Sequence, residues 1–326
     1  MSPLKAHEIY GNWATLLLPL NADDSINYEQ LEHQIDLLIA CRVNGIYSNG
    51  TAGEFYNQTE EEFDNVQTIL AAKCNAAAMP FQIGCSHMSP KLSLERIKRS
   101  RKFMPSAMQV ILPDWFVPSM SEIISFLKVV SEAADPVGLI LYNPPQAKRK
   151  LSPGDFAKIL NAGIPLLGCK VAGGDLQWYH EMKNLPAPFS VFIPGHHLAT
   201  GISSGAHGAY SNVACLNPLF AQQWYDDIKA GNKNSFELQN SIQRFMDECI
   251  VPYIRDEGYS NQAVDKFMAV VGGWAPMNTK LRWPYRSIPE EHILPVRTKC
   301  ADFLPEVFSN ANKLNSVLTN TQWWIS

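Results

Sequence analysis

The 326-residue sequence predicts an α/β protein, a (β/α)8 TIM barrel with a helical C-terminal extension. Three observations carry this. Eight short apolar runs recur along the first two-thirds of the chain, the segments between them carry helix-start signals, and beyond about residue 216 the pattern turns helical throughout. The barrel is assigned to residues 1–230 and the extension, packed on the barrel, to residues 231–326. A doubly wound open sheet is the alternative. It would want a glycine-rich phosphate loop after the first strand, which 21-NADDSIN-27 does not supply.

The strands are read at 13-WATLLLPL-20, 45-GIYSNG-50, 79-MPFQIGC-85 and 107-AMQVILP-113, then at 138-GLILYNP-144, 165-PLLGCKVA-172, 190-SVFIPG-195 and 207-HGAYSNV-213. Their starts lie about 17 to 35 residues apart, the length of a strand, a helix and two loops. Between them, 27-NYEQLEHQIDLLIACRV-43 places Leu31, Ile35, Leu38 and Ile39 on one face. Residues 59–74 open with Thr59 and Glu62 in capping-box spacing, and Ser119 with Glu122 repeats it. Ser152-Pro153 gives a cap followed by proline at the first helical position. The C-terminal helices are read at 216–230, 235–250, 261–271 and 291–314. A tryptophan pair, Trp323-Trp324, is suited to packing at an interface.

Hydrophobic content of 46% with 18% charged residues is ordinary for a globular protein with a large core. The net charge of −4 argues against a nucleic-acid or membrane-surface binder, and the run 146-QAKRK-150 is too short to carry such binding. No stretch approaches 18 apolar residues, and the N-terminus has no signal core. Seven scattered cysteines without a Cys-x-x-Cys pair favour reduced thiols and a cytoplasmic protein over a disulfide framework or zinc site.

In a barrel of this kind the reactive groups sit at the C-terminal ends of the strands. The sixth run, 166-LLGCKVAGGDL-176, ends in a lysine pointed at a core. An amine held in an apolar barrel mouth is desolvated, which disfavours its charged form. Neutral, it attacks a ketone to make a Schiff base, an electron sink for breaking an adjacent C–C or C–O bond. The bland reading of Lys170 is a snorkelling or ion-paired lysine. Tyr142, ending the neighbouring strand, is placed to move protons during imine formation; otherwise it is a core tyrosine. The turn 50-GTAGE-54 offers exposed backbone N–H groups for a carboxylate, and Thr51 adds a hydroxyl within reach of Tyr142. Taken singly it is an ordinary strand-to-helix turn.

Gly50-Thr51-Ala52-Gly53-Glu54, Tyr142-Asn143-Pro144 and Gly168-Cys169-Lys170 before Gly174-Asp175, in that order, resemble the dihydrodipicolinate synthase / N-acetylneuraminate lyase family over about residues 8–230. The resemblance implies pyruvate or another 2-keto acid held as an imine on Lys170, with an aldehyde as second partner. It implies Tyr142 as proton shuttle, Thr51 as its relay partner, and Gly50, Thr51 and Ala52 as the carboxylate cradle. It also implies a homotetramer and no cofactor.

The departures are specific. The synthase branch places an arginine five residues after the tyrosine; here that residue is Ala147, beside Lys148 and Arg149, so dihydrodipicolinate synthesis itself is not expected. Ala52 replaces a second threonine, Val171 a frequent glutamate, and Gly195-His196-His197 a Gly-Asp-Asp. Trp115 stands where many members lend a tyrosine across the subunit interface, and an indole donates but cannot accept. Pro113-Asp114-Trp115 with Tyr142-Asn143-Pro144-Pro145-Gln146-Ala147 is similar to hydratase-aldolases of aromatic 2-keto acids. There Trp115, Phe116 and Tyr210 would form an apolar wall. His196 and His197 face opposite ways if the chain is extended, and no acidic cluster joins them, so no metal is expected. His196 is kept as a substrate contact. The reading is a Schiff-base lyase, with a non-catalytic 2-keto-acid-binding barrel and a metal-dependent aldolase as the competing classes.

Overall fold

In a computed structural model the described residues are 2–309, and they form a closed parallel barrel. Its strands are β1 (Gly11–Thr15), β2 (Gly45–Tyr47), β3 (Phe81–Gly84), β4 (Ala107–Val110), β5 (Leu139–Tyr142), β6 (Leu166–Lys170), β7 (Ser190–Pro194) and β8 (Gly208–Ser211). Each lies inside one of the eight predicted runs, except that β1 begins two residues early and stops at Thr15. Leu16 keeps one bond to β2, its N donating to the Tyr47 carbonyl at 2.8 Å, and Leu17, Leu18 and Leu20 continue buried in the layer between barrel and helices. Closure comes from β8 pairing with β1, Gly11 opposite Gly208 and Trp13 opposite Tyr210.

The surrounding helices are α1 (Tyr28–Ala40), α2 (Glu60–Ala76), α3 (Pro90–Ser100), α4 (Met120–Ala134), α5 (Pro153–Asn161), α6 (Leu176–Lys183) and α7 (Leu198–Ser204). The predicted capping boxes form: Thr59 and Glu62 start α2, Ser119 and Glu122 start α4, and Ser152 caps α5 with Pro153 at its first position. After the barrel come α8 (Asn212–Leu216), α9 (Pro218–Lys229), α10 (Asn234–Phe245), α11 (Val251–Arg255), α12 (Asn261–Gly272), α13 (Ile293–Phe303) and α14 (Glu306–Ser309). The single helix read over 235–250 ends at Phe245. Five residues of π-helix, Met246–Ile250, then carry the chain into α11, where Pro252 cannot donate to the helical ladder. The end of the 291–314 reading and Trp323-Trp324 lie outside the described residues.

Side chains alternate between two cores, as a period of two requires. Outward residues such as Leu139, Leu141 and Cys169 join the layer beneath the helices, while Trp13, Tyr47, Ile140, Phe192 and Tyr210 fill the barrel interior. The interior is aromatic and close-packed: the Tyr210 ring lies 4.7 Å from Tyr47, 4.6 Å from Phe192 and 6.0 Å from Trp13, centre to centre. This plug is the floor of the barrel mouth.

Helix α12 lies across the mouth and is fixed against α8. A Cβ on Gly272 would sit 1.6 Å from the Leu216 carbonyl oxygen, so glycine alone permits the approach. Trp274 Nε1 then donates to the Cys215 carbonyl at 2.8 Å.

Candidate active site

The same alternation that buries Cys169 outward turns Lys170 inward, above the aromatic plug. Its Nζ lies 4.6 Å from the centre of the Tyr142 ring, 5.1 Å from Tyr47 and 5.3 Å from Tyr210, a cage of three π-faces. Among the described residues no carboxylate stands within 4.0 Å of it. The ion-paired reading of this lysine therefore does not apply.

Tyr142 and Lys170 are directly opposite in the β5–β6 register. The Tyr142 hydroxyl meets Thr51 Oγ1 at 3.1 Å, which joins β5 to the turn after β2. That turn is one round of 3-10 helix, Thr51–Gly53, whose first backbone N–H groups have no partner inside the turn. Beyond Tyr142, Asn143 pins the next loop: its Oδ1 accepts from Leu151 N and its Nδ2 donates to the Arg149 carbonyl, both at 2.8 Å.

Thr51 and Tyr142 stand between two hollows. One, of about 290 Å3, is lined by Lys170, Thr51, Ala52, Tyr142, His196 and Tyr210 with residues of α10 and α12. The other, of about 480 Å3, is lined by Phe55, Tyr56, Asp114, Ala147, Arg149 and Tyr285 on the far side of the same hydroxyl pair.

The remaining predicted site residues divide. Tyr210 is buried below Lys170, its hydroxyl donating to Gln82 Oε1, so it closes the floor. His196 lines the Lys170 hollow and is held by Asn212, whose Oδ1 accepts from the His196 backbone and whose Nδ2 lies 2.9 Å from Nδ1. Burial lowers its pKa to about 4, so the ring is neutral near pH 7. The expectation that His196 and His197 face apart is corrected. Gly195–His197 is a 3-10 turn rather than extended chain, and the two rings lie 4.0 Å apart. The apolar wall expected from Trp115, Phe116 and Tyr210 is likewise not assembled within one chain. Trp115 and Phe116 are 76% and 81% exposed and line neither hollow, because the loop after β4 turns outward. Lys148 is tied to that loop, donating to the Trp115 carbonyl at 3.1 Å, while Arg149 donates to the Pro118 carbonyl. Lys170 is the only cation lining its hollow among the described residues.

Sequence reasoning missed the wall contributed by the extension: Gln243 on α10, and Asn261 and Asp265 on α12. Burial raises the Asp265 carboxyl to about 6, and the Lys170 charge opposes that shift. The available signal was the charged pair Asp265-Lys266 inside the otherwise apolar 261-NQAVDKFMAVV-271. One of two adjacent charges on a buried helix has to face something other than solvent.

Barrel, strand-end lysine and adjoining phenol define a class I, Schiff-base carbon–carbon or carbon–oxygen lyase. The sequence matches the dihydrodipicolinate synthetase family over residues 8–300, and the chain belongs to that family. A 4-hydroxy-tetrahydrodipicolinate synthase of Cytophaga hutchinsonii is 26% identical over 254 residues, covering 77% of this chain and 84% of that protein. The enzyme of the same description from Neisseria meningitidis serogroup C is 30% identical over 217 residues, 65% and 74% of the two chains. Among solved structures, a catalytic-lysine mutant of Ruminococcus gnavus sialic acid aldolase superposes with TM-score 0.81 at 18% identity, over 95% of this chain and 99% of that one. YagE, a prophage protein of the dihydrodipicolinic acid synthase family from E. coli K12 in complex with pyruvate, gives 0.79 at 18%, over 90% and 98%. At such identities these two likenesses speak to the fold.

Proposed function

We propose that this protein is a lyase that holds pyruvate or another 2-keto acid as an imine on Lys170 and cleaves, or in reverse forms, the bond to an aldehyde partner. Loss of a hydroxyl as water is the other outcome open to the same iminium. The observation that carries the reading is the Lys170 amine caged by three tyrosine rings, unpaired, beside a Tyr142–Thr51 hydroxyl pair. In this mechanism Gly50, Thr51 and Ala52 cradle the carboxylate, the amine attacks C2, and Tyr142 carries a proton from nitrogen to oxygen. The iminium then takes up the electrons of the breaking bond.

Dihydrodipicolinate synthesis is not the activity we assign. Among the described residues no arginine lines the Lys170 hollow; Arg149 borders only the second hollow and bonds to Pro118 and Asp155. The proposed functional unit includes both the barrel, 1–230, and the extension, 231–326, since Gln243, Asn261 and Asp265 stand in the hollow. We further propose a homotetramer, with Trp115 and Phe116 at a contact between copies.

The test is incubation with pyruvate and borohydride, followed by intact and peptide mass spectrometry, with Lys170→Ala as control. A reduced pyruvyl adduct on Lys170 is expected. Folded protein that gives none, with pyruvate or with longer 2-keto acids, overturns the reading.

A further inference from the structure

The hollow over Lys170 contains one feature that imine chemistry by Lys170 and Tyr142 leaves unexplained. Asp265 lines it from α12, amid Val264, Met268 and Ile250. Its carboxylate makes no hydrogen bond or ion pair with any described residue, whereas the neighbouring Lys266 is fully engaged with Glu54. An unpaired carboxylate in a largely apolar hollow costs stability, and such groups gather where chemistry uses them.

The helix cannot roll to relieve it. The Lys266–Glu54 pair holds one side of α12, and the Gly272 approach to Leu216 fixes its far end. The groups that act on Asp265 electrostatically are Lys170 from β6, Tyr47 from β2 and Cys215 from α8. Burial pushes both the Tyr47 phenol and the Cys215 thiol up, so both stay neutral. Among the described residues Lys170 is the only charge acting on the carboxylate, and the two stand more than the 4.0 Å of an ion pair apart across the same hollow.

We propose that Asp265 is the proton-holding partner of Lys170 in imine formation. The step rests on the lyase reading above. Before the keto acid enters, the Lys170 ammonium gives one proton through a bridging water to the Asp265 carboxylate, and the neutral amine then adds to C2 of the keto acid. Tyr142 moves a second proton from the nitrogen to the new alkoxide, giving a neutral carbinolamine. Asp265 returns its proton to the carbinolamine hydroxyl, the C–O bond breaks, and water leaves. The products are the iminium on Lys170 and the Asp265 carboxylate, a cation and an anion facing each other in a site of low dielectric.

The proton leaves Asp265 only near pH 6, so the carboxylate form that starts the step grows in as the pH rises through that value.

The test uses the full chain with pyruvate as probe, quenching with borohydride at intervals and following the adduct on the Lys170 peptide. In the wild type the trapping rate should rise with pH through about 6. Asp265→Asn, which keeps the shape and loses the charge, should trap about 10^2-fold more slowly near pH 7 and lose that acid limb. Trapping by the variant at the wild-type rate with an unchanged profile overturns the proposal and leaves the lyase reading intact. Absence of any wild-type adduct overturns both. If Asp265→Asn does not fold, the wild-type profile alone decides, and a rate flat between about pH 5 and 7 overturns it.

Discussion

Glu54 and Lys266 form a 2.9 Å ion pair with side chains 0% and 1% exposed, and it joins the turn that bears Thr51 to the helix that bears Asp265. Glu54 sits in the left-handed region, φ 51°, a conformation that a non-glycine residue keeps only when its surroundings hold it. They do: its second oxygen accepts from the Arg282 backbone at 3.1 Å, and Lys266 also donates to the Lys280 carbonyl. Arg282 in turn forks onto Glu62, the residue that closes the α2 capping box. The C-terminal chain thus grips the barrel loop that carries a proposed catalytic hydroxyl.

Removing one partner of such a pair strands a buried charge. Lys266→Ala should lose about 3–5 kcal/mol in urea unfolding, while Glu54→Gln with Lys266→Met, which neutralises both, should lose markedly less. A Lys266→Ala loss under about 1 kcal/mol would mean that Glu54 is relieved by water or by Arg282 alone.

Tyr142→Phe removes the hydroxyl that meets Thr51 and leaves the ring beside Lys170 in place. Imine trapping should slow by about 10^2- to 10^4-fold, the ordinary worth of a placed proton carrier. Thr51→Val should act in the same direction and less. Thermal unfolding is the control, since one hydrogen bond contributes about 0.5–1.5 kcal/mol. Trapping by Tyr142→Phe at the wild-type rate would assign the proton transfers to another group.

Two groups on the wall of the hollow act oppositely on stability. For His196, lowered from 6.5 to about 4 by burial, the unfolded chain binds the proton more readily in that window. Its contribution is therefore full above about 6.5 and lost as pH falls toward 4. For Asp265, raised from 3.8 to about 6, the folded chain binds the proton more readily. Its contribution is full below 3.8 and lost as pH rises through 6. Urea midpoints taken stepwise from about pH 4 to 7 should show His196→Asn losing the acid-side decline and Asp265→Asn losing the opposite slope. Variant curves parallel to the wild type would place neither titration in the folding equilibrium.

What could be read in advance follows from the range of the interactions. A strand in a parallel barrel is buried on both faces, so its apolar run survives in the sequence, and Lys170 stands out because it interrupts one. Caps are local as well, and Thr59, Ser119 and Ser152 each declare a helix within four residues. The Thr51–Tyr142 contact was legible because Tyr142 ends β5 and Thr51 opens the turn after β2, both at the C-terminal face of the barrel. Asp265 was less so: the Asp265-Lys266 pair interrupts an apolar helix, but nothing local tells which of the two faces Glu54 and which faces the Lys170 hollow. His196-His197 was misjudged for a related reason: a single 3-10 turn leaves no periodicity to detect, yet it decides which way two rings point.

Trp115 and Phe116 carry the last prediction. Two adjacent aromatic side chains, 76% and 81% exposed, are held outward by a loop that is itself secured. Lys148 N donates to Asp114 at 3.1 Å, Lys148 Nζ donates to the Trp115 carbonyl, and the same ammonium lies 5.7 Å from the Trp115 ring. Apolar surface fixed in this way marks a protein contact more often than a solvent face. Sedimentation of the wild type should show four chains together, and Trp115→Ala with Phe116→Ala should shift the distribution to smaller species. Because the loop stands over the second hollow through Asp114, the dissociated variant should also trap pyruvate more slowly. An unchanged tetramer would move the contact elsewhere on the barrel. A monomeric wild type would leave Trp115 and Phe116 free to close over a substrate within their own chain.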